Sequence, residues 1–369
     1  MEENHIRRHT SLYPFSLLYR LGVGIRNKMF DWGLLPSETF DVPVICIGNL
    51  VAGGTGKTPH TEYLVRLLQK EFHVAVLSRG YKRKKGGYVL ATPESTVYDI
   101  GDEPFQIHTK FPDIRVAADK DRRHGLRKLS KLEDPLVDVV LLDDGYQHRY
   151  VNAGLNILLT DYHRLFCDDT LMPVGRLREP QSSKIRAQIV IVTKCPRDIK
   201  PIDYNIIAKR LKLYPYQQLY FSTYTYGDLV PVFPEQGLAP RPLRSIPAEA
   251  GILLLTGIAS PDRMVEELQP YSTHIYPLTF ADHHAFTRKD IQRLKETFSR
   301  MKEEQRIIVT TEKDATRLLP CAGMDEELKN HLYALPVEAE ILQNQQEIFN
   351  QHILGYVRKN KRNSVLSAK

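Results

Sequence analysis

The sequence predicts an α/β protein in which a mostly parallel sheet forms the core, with a second, smaller α/β lobe and an N-terminal amphipathic helix. Short apolar segments rich in β-branched residues alternate with helix-like segments, the order that produces a doubly wound sheet. The first of these segments leads through a glycine-rich turn into a helical pattern. A length of 369 residues exceeds that of one typical domain, which favours two packed units.

The glycine-rich turn has the features of a phosphate-binding loop. It follows residues 42–50 (VPVICIGNL), a short apolar segment typical of a buried strand. Its residues are Val51, Ala52, Gly53, Gly54, Thr55, Gly56, Lys57 and Thr58. Such glycines let backbone N–H groups point toward a phosphate, and the start of the next helix adds partial positive charge. We expect Lys57 to reach the β- and γ-phosphates of a nucleotide and the Thr58 hydroxyl to bind Mg²⁺. The common motif begins with glycine where this chain has Val51.

A second apolar segment, residues 137–142, ends in Asp143-Asp144-Gly145. An acidic residue at the end of a buried strand is the Walker-B arrangement, which provides a carboxylate for the metal of a P-loop site. Asp and Gly are common in turns, so these residues alone are weak evidence for a metal site. The evidence becomes strong when the phosphate loop is considered with them. Together the two motifs predict a P-loop NTPase-like core, and they leave open which aspartate does what.

The overall charge and the cysteines limit the classes of function. A net charge of +7 and a pI near 9.0 favour anionic partners. No basic patch interleaved with aromatic residues is present, so we expect no nucleic-acid partner. The four cysteines form no CxxC pair, which argues against a zinc site and against a disulfide framework. Guanine specificity is disfavoured because Pro196 follows Thr193-Lys194-Cys195 where a guanine-binding segment needs Asp.

Residues 11–35 predict an amphipathic helix. Its narrow polar stripe consists of Ser16, Arg20, Asn27 and Asp31, whose spacings follow the helical repeat. The rest of its surface is mainly apolar with basic margins, which suits a membrane interface. Docking on the protein's own core is the alternative, and the pattern alone does not separate the two. No run of about 20 uncharged apolar residues occurs, so we expect no conventional membrane span.

Several motifs occur together in one order along the chain. They are Arg26-Asn27, 47–59 (IGNLVAGGTGKTP), 78–81 (SRGY), 101–104 (GDEP), 142–148 (LDDGYQH), 175–180 (GRLREP), 256–259 (TGIA), 282–284 (DHH) and 311–315 (TEKDA). This series resembles the tetraacyldisaccharide 4′-kinase family of lipid A biosynthesis, in which valine is normal at the position of Val51. We find no match beyond about residue 345.

The resemblance implies a reaction and a set of partners. The γ-phosphoryl group of ATP would be transferred to the 4′-hydroxyl of an acylated glucosamine disaccharide 1-phosphate, with Mg²⁺ as cofactor. The enzyme would be peripheral, at the cytoplasmic face of the inner membrane, and it would meet an anionic membrane surface. No obligate protein partner is evident. A substrate held in a bilayer also favours the membrane-interface interpretation of residues 11–35.

The resemblance also assigns roles to single residues. Asp102 would be the base that takes the proton of the acceptor hydroxyl. His283 would orient this base or relay the proton, with His284 as the alternative. Lys57 and Asp144 complete the expected catalytic set. The expected metal ligands are Thr58, Asp143 and Glu179. From the sequence alone, Asp102 equally suits the N-cap of a helix. Further candidates for phosphate or substrate contact are Arg79, Tyr81, Arg122, Gln147, His148, Arg176 and Arg178.

Four segments are expected along the chain. They are a membrane-interface helix at 1–36, a P-loop kinase core at 37–200, a second α/β lobe at 201–345 and a basic, solvated C-terminal tail at 346–369. A P-loop ATPase or GTPase that switches a partner is the alternative function. It would release phosphate without a lipid acceptor, and it would leave residues 11–35 unexplained.

Overall fold

The computed structural model describes residues 10–258, 262–282 and 284–366, with side chains described up to residue 361. His283, expected at the site, lies outside these residues. The chain divides into two compact units. The first comprises the described residues up to Tyr224 and from Ala339 onward, and the second is Thr225–Glu338. From the sequence we expect boundaries at 200/201 and 345/346. The first unit extends farther because β8 (Gln218–Tyr226) pairs in parallel with β7 (Ile189–Thr193) and lengthens its sheet.

The first unit is built on a nine-stranded sheet of the order β14-β8-β7-β6-β1-β5-β2-β4-β3 in the part of the chain that the structure describes. The remaining strands of this sheet are β1 Val44–Asn49, β2 Val74–Ser78, β3 Val89–Leu90, β4 Arg115–Ala118, β5 Val139–Asp143, β6 Leu155–Asp161 and β14 Val337–Ile341. The second unit has a smaller sheet of the order β11-β10-β12-β13-β9. Its strands are β9 Val230–Pro231, β10 Gly251–Thr256, β11 His274–Thr279, β12 Arg306–Thr311 and β13 Leu332–Leu335.

Helices cover both sheets. They are α1 Tyr13–Asp31, α2 Lys57–Leu68, α3 Val97–Ile100, α4 Asp102–Lys110, α5 Arg122–Leu129, α6 Pro201–Leu211, α7 Asp262–Leu268, α8 Arg288–Arg300, α9 Glu312–Leu318, α10 Glu326–His331 and α11 Gln346–Leu366. Short 3-10 turns occur at Thr10–Leu12, Phe166–Asp168, Gln181–Arg186, Pro234–Gln236 and Leu243–Ser245. The predicted α/β class, with a large parallel sheet, a smaller one and an N-terminal helix, is confirmed.

The sequence of the central strand β1 is an almost continuous apolar segment. All six of its residues are buried. Ile45 and Ile47 belong to the hydrophobic cluster on one face of the sheet, and Val44 and Cys46 to the cluster on the other. Because side chains alternate between the two faces of a strand, a strand covered on both faces is apolar at nearly every position. In β1 the polar Asn49 comes last, next to the phosphate loop.

The topology brings the two predicted nucleotide-binding motifs together. Strand β1 pairs in parallel with β5 on one side and with β6 on the other. In the β1–β5 pair, Ile47 lies opposite Asp143. The chain leaves β1 through the phosphate loop and α2 and returns as β2, which lies beyond β5. The carboxyl ends of β1 and β5 therefore lie side by side, at the edge where ligands bind in open α/β sheets.

The C-terminal segment differs from the solvated tail expected from the sequence. Gln346–Leu366 is a helix, and Phe349, Ile353 and Val357 are buried in the core of the first unit. These three residues are spaced four apart, so they lie on one face of a helix. Arg358 on the same helix pairs with Glu71 at 2.8 Å. The apolar spacing, and not the basic composition, decides the structure of this segment.

Helix α1 presents its polar side to the protein. The Ser16 hydroxyl donates to the Leu171 carbonyl at 3.1 Å, and the Tyr19 hydroxyl donates to the Arg178 carbonyl at 2.9 Å. The Asn27 amide lies 3.4 Å from a carboxylate oxygen of Glu179. Large apolar residues in and after α1 are exposed instead: Tyr13, Phe15, Leu17, Leu18, Leu21, Ile25, Trp32 and Leu34. Among the described residues, the helices are all too short or too polar to cross a bilayer.

Phe349→Ala should lower the free energy of unfolding by about 3–5 kcal/mol, because it empties a fully enclosed site in the core. The neighbouring Ile348 is 62% exposed, so Ile348→Ala should change the free energy by no more than about 0.5 kcal/mol. Urea unfolding of the two variants measures the difference. Equal effects would mean that α11 does not pack on the sheet.

Candidate active site

The phosphate loop begins as an extended segment that pairs with residues 175–180. The Ala52 N–H donates to the Arg176 carbonyl at 2.8 Å, and the Arg178 N–H donates to the Leu50 carbonyl at 2.7 Å. Val51 forms a bridge with Leu177 and is buried. An extended, buried backbone position suits a β-branched residue, so valine here is compatible with a phosphate loop. The same pairing brings the arginines of this segment to the loop.

The turn of the loop depends on glycine. Gly53 and Gly56 have φ values of 122° and 85°, which residues with a side chain rarely adopt. A Cβ atom at Gly56 would also lie 2.1 Å from the Tyr224 hydroxyl oxygen. Asn49, the last residue of β1, donates from its amide to the Thr55 hydroxyl of the loop at 2.7 Å. Gly54 has open space around its Cα, so the backbone there can approach a ligand.

A buried histidine fixes the start of α2. His60 Nδ1 lies 2.7 Å from the Gly56 carbonyl oxygen, and Nε2 lies 2.9 Å from the Ser222 hydroxyl. A carbonyl can only accept, so Nδ1 carries the proton and Nε2 accepts from Ser222. Burial lowers the pKa of His60 to about 4. The ring is therefore neutral at pH 7 and acts as a structural tie between the loop and β8.

Asp144 lies beside the lysine of the loop. Lys57 Nζ is 3.6 Å from Asp144 Oδ1, and the Arg178 guanidinium is 3.5 Å from Oδ2. Asp144 has a φ of 50°, a left-handed conformation that is uncommon for a residue with a side chain. Burial by itself would raise the pKa of Asp144. Three positive charges outweigh that effect and lower the pKa; they belong to Lys57, Arg178 and Arg122.

Asp143 occupies a different environment although it is the preceding residue. It is fully buried, and the Thr61 hydroxyl donates to its Oδ1 at 3.2 Å. Burial, together with the charges of Glu103 and Asp144, raises the pKa of Asp143 to about 7. Because Glu103 acts on Asp143 through its charge, the first turn of α4 lies near the carboxyl end of β5. The structure therefore distinguishes two aspartates that the sequence does not.

The oxygen atoms present fit a divalent cation of the magnesium type. Asp143 Oδ2 and Asp144 Oδ1 are enclosed and have no hydrogen-bond partner within the described part of the chain. Thr58 lies one helical turn before Thr61 and so faces the same side of α2 as the residue that contacts Asp143. No group of three His, Cys, Asp or Glu residues gathers in the described ranges. Few protein ligands suit Mg²⁺, which usually binds one or two carboxylates together with phosphates and water.

Asp102 is the first residue of α4, with Gly101 as its N-cap. The N-cap role that the sequence allowed for Asp102 is therefore wrong by one residue. Gly101 has a φ of 95°, and a Cβ atom there would lie 2.9 Å from the Tyr81 carbonyl and 3.0 Å from Gly80. Only glycine permits this close approach of two loops. Asp102 Oδ1 accepts from the Glu103 N–H at 3.0 Å, and its side chain is partly buried.

Glu179 lies in an ion pair rather than among other acids. It is buried, its Oε2 atom is paired with Arg186, and Asn27 of α1 approaches the same oxygen. Its Oε1 atom has no hydrogen-bond partner among the described residues. The Arg186 guanidinium also donates to the Tyr146 carbonyl at 2.8 Å. These contacts connect α1, the segment at 175–180 and the turn after β5.

Basic side chains surround the turn after β5. Arg122 is buried, and burial lowers the pKa of its guanidinium. Burial also lowers the pKa of His148 to about 4, and the neighbouring Arg122 contributes to the decrease. The Gln147 amide donates to the Asn49 carbonyl at 2.7 Å. Arg79 is exposed at the end of β2, and its charge acts on Arg122. The turn thus faces a region of positive potential.

Some residues at the site were not assigned a role from the sequence. They are Glu103, whose charge acts on Asp143, His60, which binds the phosphate loop, and Arg186, which pairs with Glu179. A glutamate next to a predicted base was an available signal for Glu103. No local pattern marks His60 or Arg186, because their partners are distant in the chain.

Comparisons with known proteins show the family of the chain. The family model Tetraacyldisaccharide-1-P 4′-kinase matches residues 8–358. The tetraacyldisaccharide 4′-kinase of Bacteroides fragilis is 63% identical over 367 residues, which cover 99% of this chain and 98% of that protein. The tetraacyldisaccharide 4′-kinase of Porphyromonas gingivalis is 45% identical, covering 95% of this chain and 98% of its own.

A solved structure is similar over most of the chain. It is the "apo" form of LpxK from Aquifex aeolicus in complex with ATP, with a TM-score of 0.70 and 27% sequence identity. The likeness covers 94% of this chain and 98% of that one. The sequence relatives also cover the segment beyond residue 345, for which the motifs gave no match. The family expected from the sequence is confirmed: the chain belongs to the tetraacyldisaccharide-1-phosphate 4′-kinase family.

Proposed function

We propose that this protein transfers the γ-phosphoryl group of ATP to the 4′-hydroxyl of a tetraacyldisaccharide 1-phosphate, giving the 4′-phosphorylated precursor of lipid A. Family membership over the length of the chain supports this function. The observation that carries it is the contact between the phosphate loop and the turn after β5, where Lys57 meets Asp144.

The protein's part in the reaction is to position phosphates and to balance their charge. Phosphoryl transfer has little covalent chemistry for a protein to perform, so placement and electrostatics dominate. Lys57 neutralises charge on the β- and γ-phosphates. Arg178 lies on the far side of Asp144 and keeps this carboxylate ionised beside the lysine. Asp144 in turn orients the Lys57 ammonium group.

Thr58 and Asp143 would hold Mg²⁺, and Asp144 follows Asp143 in the chain. The bound cation would neutralise charge on the transferring phosphate and orient it. The enclosed, unpartnered oxygen of Asp143 and its raised pKa support this role, because a nearby cation satisfies both. We retain Glu179 as a weaker ligand candidate, since its Oε1 atom is unpartnered although Oε2 binds Arg186.

Asp102 accepts the proton of the acceptor hydroxyl. Its place at the start of α4, next to Glu103, supports a position near the metal-binding carboxylates. The family resemblance also implies a catalytic role for His283, which lies outside the described residues. The acceptor's 1-phosphate binds in the region of positive potential after β5, where Arg122 and His148 lie.

The exposed face of α1 lies in the membrane interface. Ser16 and Tyr19, on another side of the helix, are hydrogen-bonded to the protein. Its exposed side carries Leu17, Leu18 and Leu21, each more than 60% exposed. A contiguous apolar surface of this kind with basic margins suits a bilayer surface. The membrane in question is the inner membrane, at its cytoplasmic face.

Lys57→Ala should lower transfer of label from γ-labelled ATP to tetraacyldisaccharide 1-phosphate by about 10²–10³-fold, because it removes a charge that stabilises the transition state. Asp102→Ala should lower it by about 10²–10⁴-fold by removing the base. The measurement is labelled lipid formed in detergent micelles.

Lys70→Ala and Asp113→Ala, at exposed positions near the ends of α2 and α4, are matched controls and should keep the wild-type rate. If wild-type protein places label only in free phosphate, whatever the acceptor, the kinase function is wrong and the switch ATPase takes its place.

The stability of the nucleotide-free protein should fall as pH rises from about 4 to about 7. The pKa of Asp143 is raised to about 7 by burial, above its value of about 3.9 in an unfolded chain. The folded state therefore holds a proton that the unfolded state has lost in this window, and the stabilisation disappears as pH passes the folded pKa. Asp143→Asn removes the titration. Its melting temperature should exceed that of wild type by at least about 3 °C at pH 8 and approach it at pH 4.

Asp113→Asn, at an exposed site, is the control for loss of one carboxylate. Parallel pH profiles for wild type and Asp143→Asn would show that Asp143 does not titrate in this range.

Leu18→Glu combined with Leu21→Glu should reduce binding to vesicles of phosphatidylethanolamine and phosphatidylglycerol by at least about tenfold, since both side chains leave the apolar phase. Co-sedimentation with the vesicles measures it. Ile348→Glu places a charge at an equally exposed apolar residue on α11 and should leave binding unchanged. If the double variant binds like wild type, α1 is not the membrane-contacting surface.

A further inference from the structure

A buried glutamate of α2 binds two residues of α4. Glu62 Oε1 accepts a hydrogen bond from the Gln106 amide at 2.8 Å, and Oε2 lies 2.7 Å from the Lys110 ammonium nitrogen. Glu62 and Gln106 are buried, whereas the Lys110 side chain is partly exposed. A fully buried glutamate is rare in proteins, because burial of a carboxylate is costly unless the group is paired and hydrogen-bonded. Both conditions are met here.

The spacing along each helix relates this contact to the candidate active site. Thr58 precedes Glu62 by four residues on α2, and Asp102 precedes Gln106 by four residues on α4. Residues four apart lie on the same side of a helix, about 6 Å apart along its axis. Both helices begin at the carboxyl edge of the large sheet, because α2 follows β1 and α4 leads into the parallel strand β4. The contact of Glu62 with Gln106 therefore lies one turn away from a proposed metal ligand and from the proposed base.

A polar contact constrains the alignment of two helices more than apolar packing does. Apolar residues of similar volume often replace a buried ion pair without loss of stability, so such a pair is weak evidence for a stabilising role. The best-attested use of buried polar groups between helices is to fix their register. Gln106 and Lys110 are one turn apart on α4, so a shift of α4 along α2 would break both contacts of Glu62.

We propose that Glu62 is a positioning residue for phosphoryl transfer, which sets the distance between Asp102 at the start of α4 and the phosphate loop at the start of α2. This inference rests on the proposed function, in which Asp102 is the base. A base must lie within hydrogen-bond reach of the proton that it takes. A displacement of about 1 Å can lower a rate by about 10²-fold. In this role Glu62 touches neither the nucleotide nor the acceptor, and it acts through the position of Asp102.

The test compares two replacements of Glu62. Glu62→Ala removes both contacts, whereas Glu62→Gln keeps an acceptor for the Gln106 amide and is the matched control. Both are made together with Lys110→Met, so that no ammonium group is left beside a neutral side chain. The kcat and the KM for ATP are measured for transfer of label to tetraacyldisaccharide 1-phosphate in detergent micelles, and circular dichroism verifies folding.

The kcat of the alanine variant should fall by about 10–10²-fold, because α4 loses its register. Its KM for ATP should stay within about twofold of the wild-type value, because the phosphate loop is unchanged. The glutamine variant should keep kcat within about threefold of wild type. Phe349→Ala is the control for lost stability, because it removes a ring that packs on Tyr63 of the same helix from the side of α11. It should keep the wild-type kcat below its melting temperature.

Two further variants separate positioning from a general effect on the fold. Gln106→Leu removes the hydrogen bond from the side of α4 and keeps the pair of Glu62 with Lys110. It should lower kcat by about tenfold even if the alanine variant of Glu62 does not fold. Residues that act as a unit have non-additive effects. In protein that already carries Asp102→Ala, the Glu62→Ala replacement should therefore change kcat by less than about twofold.

Three results would overturn the proposal. The first is a wild-type kcat in folded Glu62→Ala or in Gln106→Leu protein. The second is an equal loss of kcat with and without Asp102→Ala, which would mean that Glu62 does not act through the base. The third is a rise in the KM for ATP at unchanged kcat, which would assign Glu62 to nucleotide binding. In all three cases wild-type protein still labels the lipid. If wild-type protein labels no lipid, the proposed function fails and the positioning role fails with it.

Discussion

Two consecutive aspartates at the end of β5, Asp143 and Asp144, require positive charge around them. Like charges this close cannot both ionise in a buried site unless cations balance them. Lys57, Arg178 and Arg122 supply that balance for Asp144 and lower its pKa, whereas the pKa of Asp143 stays raised. The site is therefore short of positive charge at Asp143, the place where a divalent cation fits.

The surrounding elements are arranged to deliver those cations. The phosphate loop brings Lys57 from α2, and the extended segment at 175–180 brings Arg178 by pairing with the start of the loop. Helix α5 brings Arg122 from a buried position. Each element reaches the site from a different part of the chain, so the charge balance depends on the complete first unit. Buried hydrogen bonds, such as that of His60 to the loop, fix the elements that carry the charged groups.

Helix α1 uses different sides for different contacts. A helix on a protein surface usually buries its apolar side. Here Ser16 and Asn27 face the protein and bind the segment at 171–183, while the leucines remain exposed. Asn27 also approaches Glu179, which ties this helix to the active-site segment. The two interpretations open at the level of sequence, docking on the protein and contact with a membrane, are thus compatible, because they use opposite sides of one helix.

The sequence by itself determined the parallel sheet, the phosphate loop and the carboxylates after β5, because each depends on residues that are neighbours in the chain. A strand buried on both faces is apolar at nearly every position, and a loop with left-handed turns needs glycine at those turns. It could not distinguish Asp143 from Asp144, since their difference comes from Thr61, Glu103 and Arg178. It also missed the packing of α11, where spacing outweighed basic composition. Only the tertiary structure decided such points, because burial and electrostatic fields depend on groups that are distant in sequence and adjacent in space.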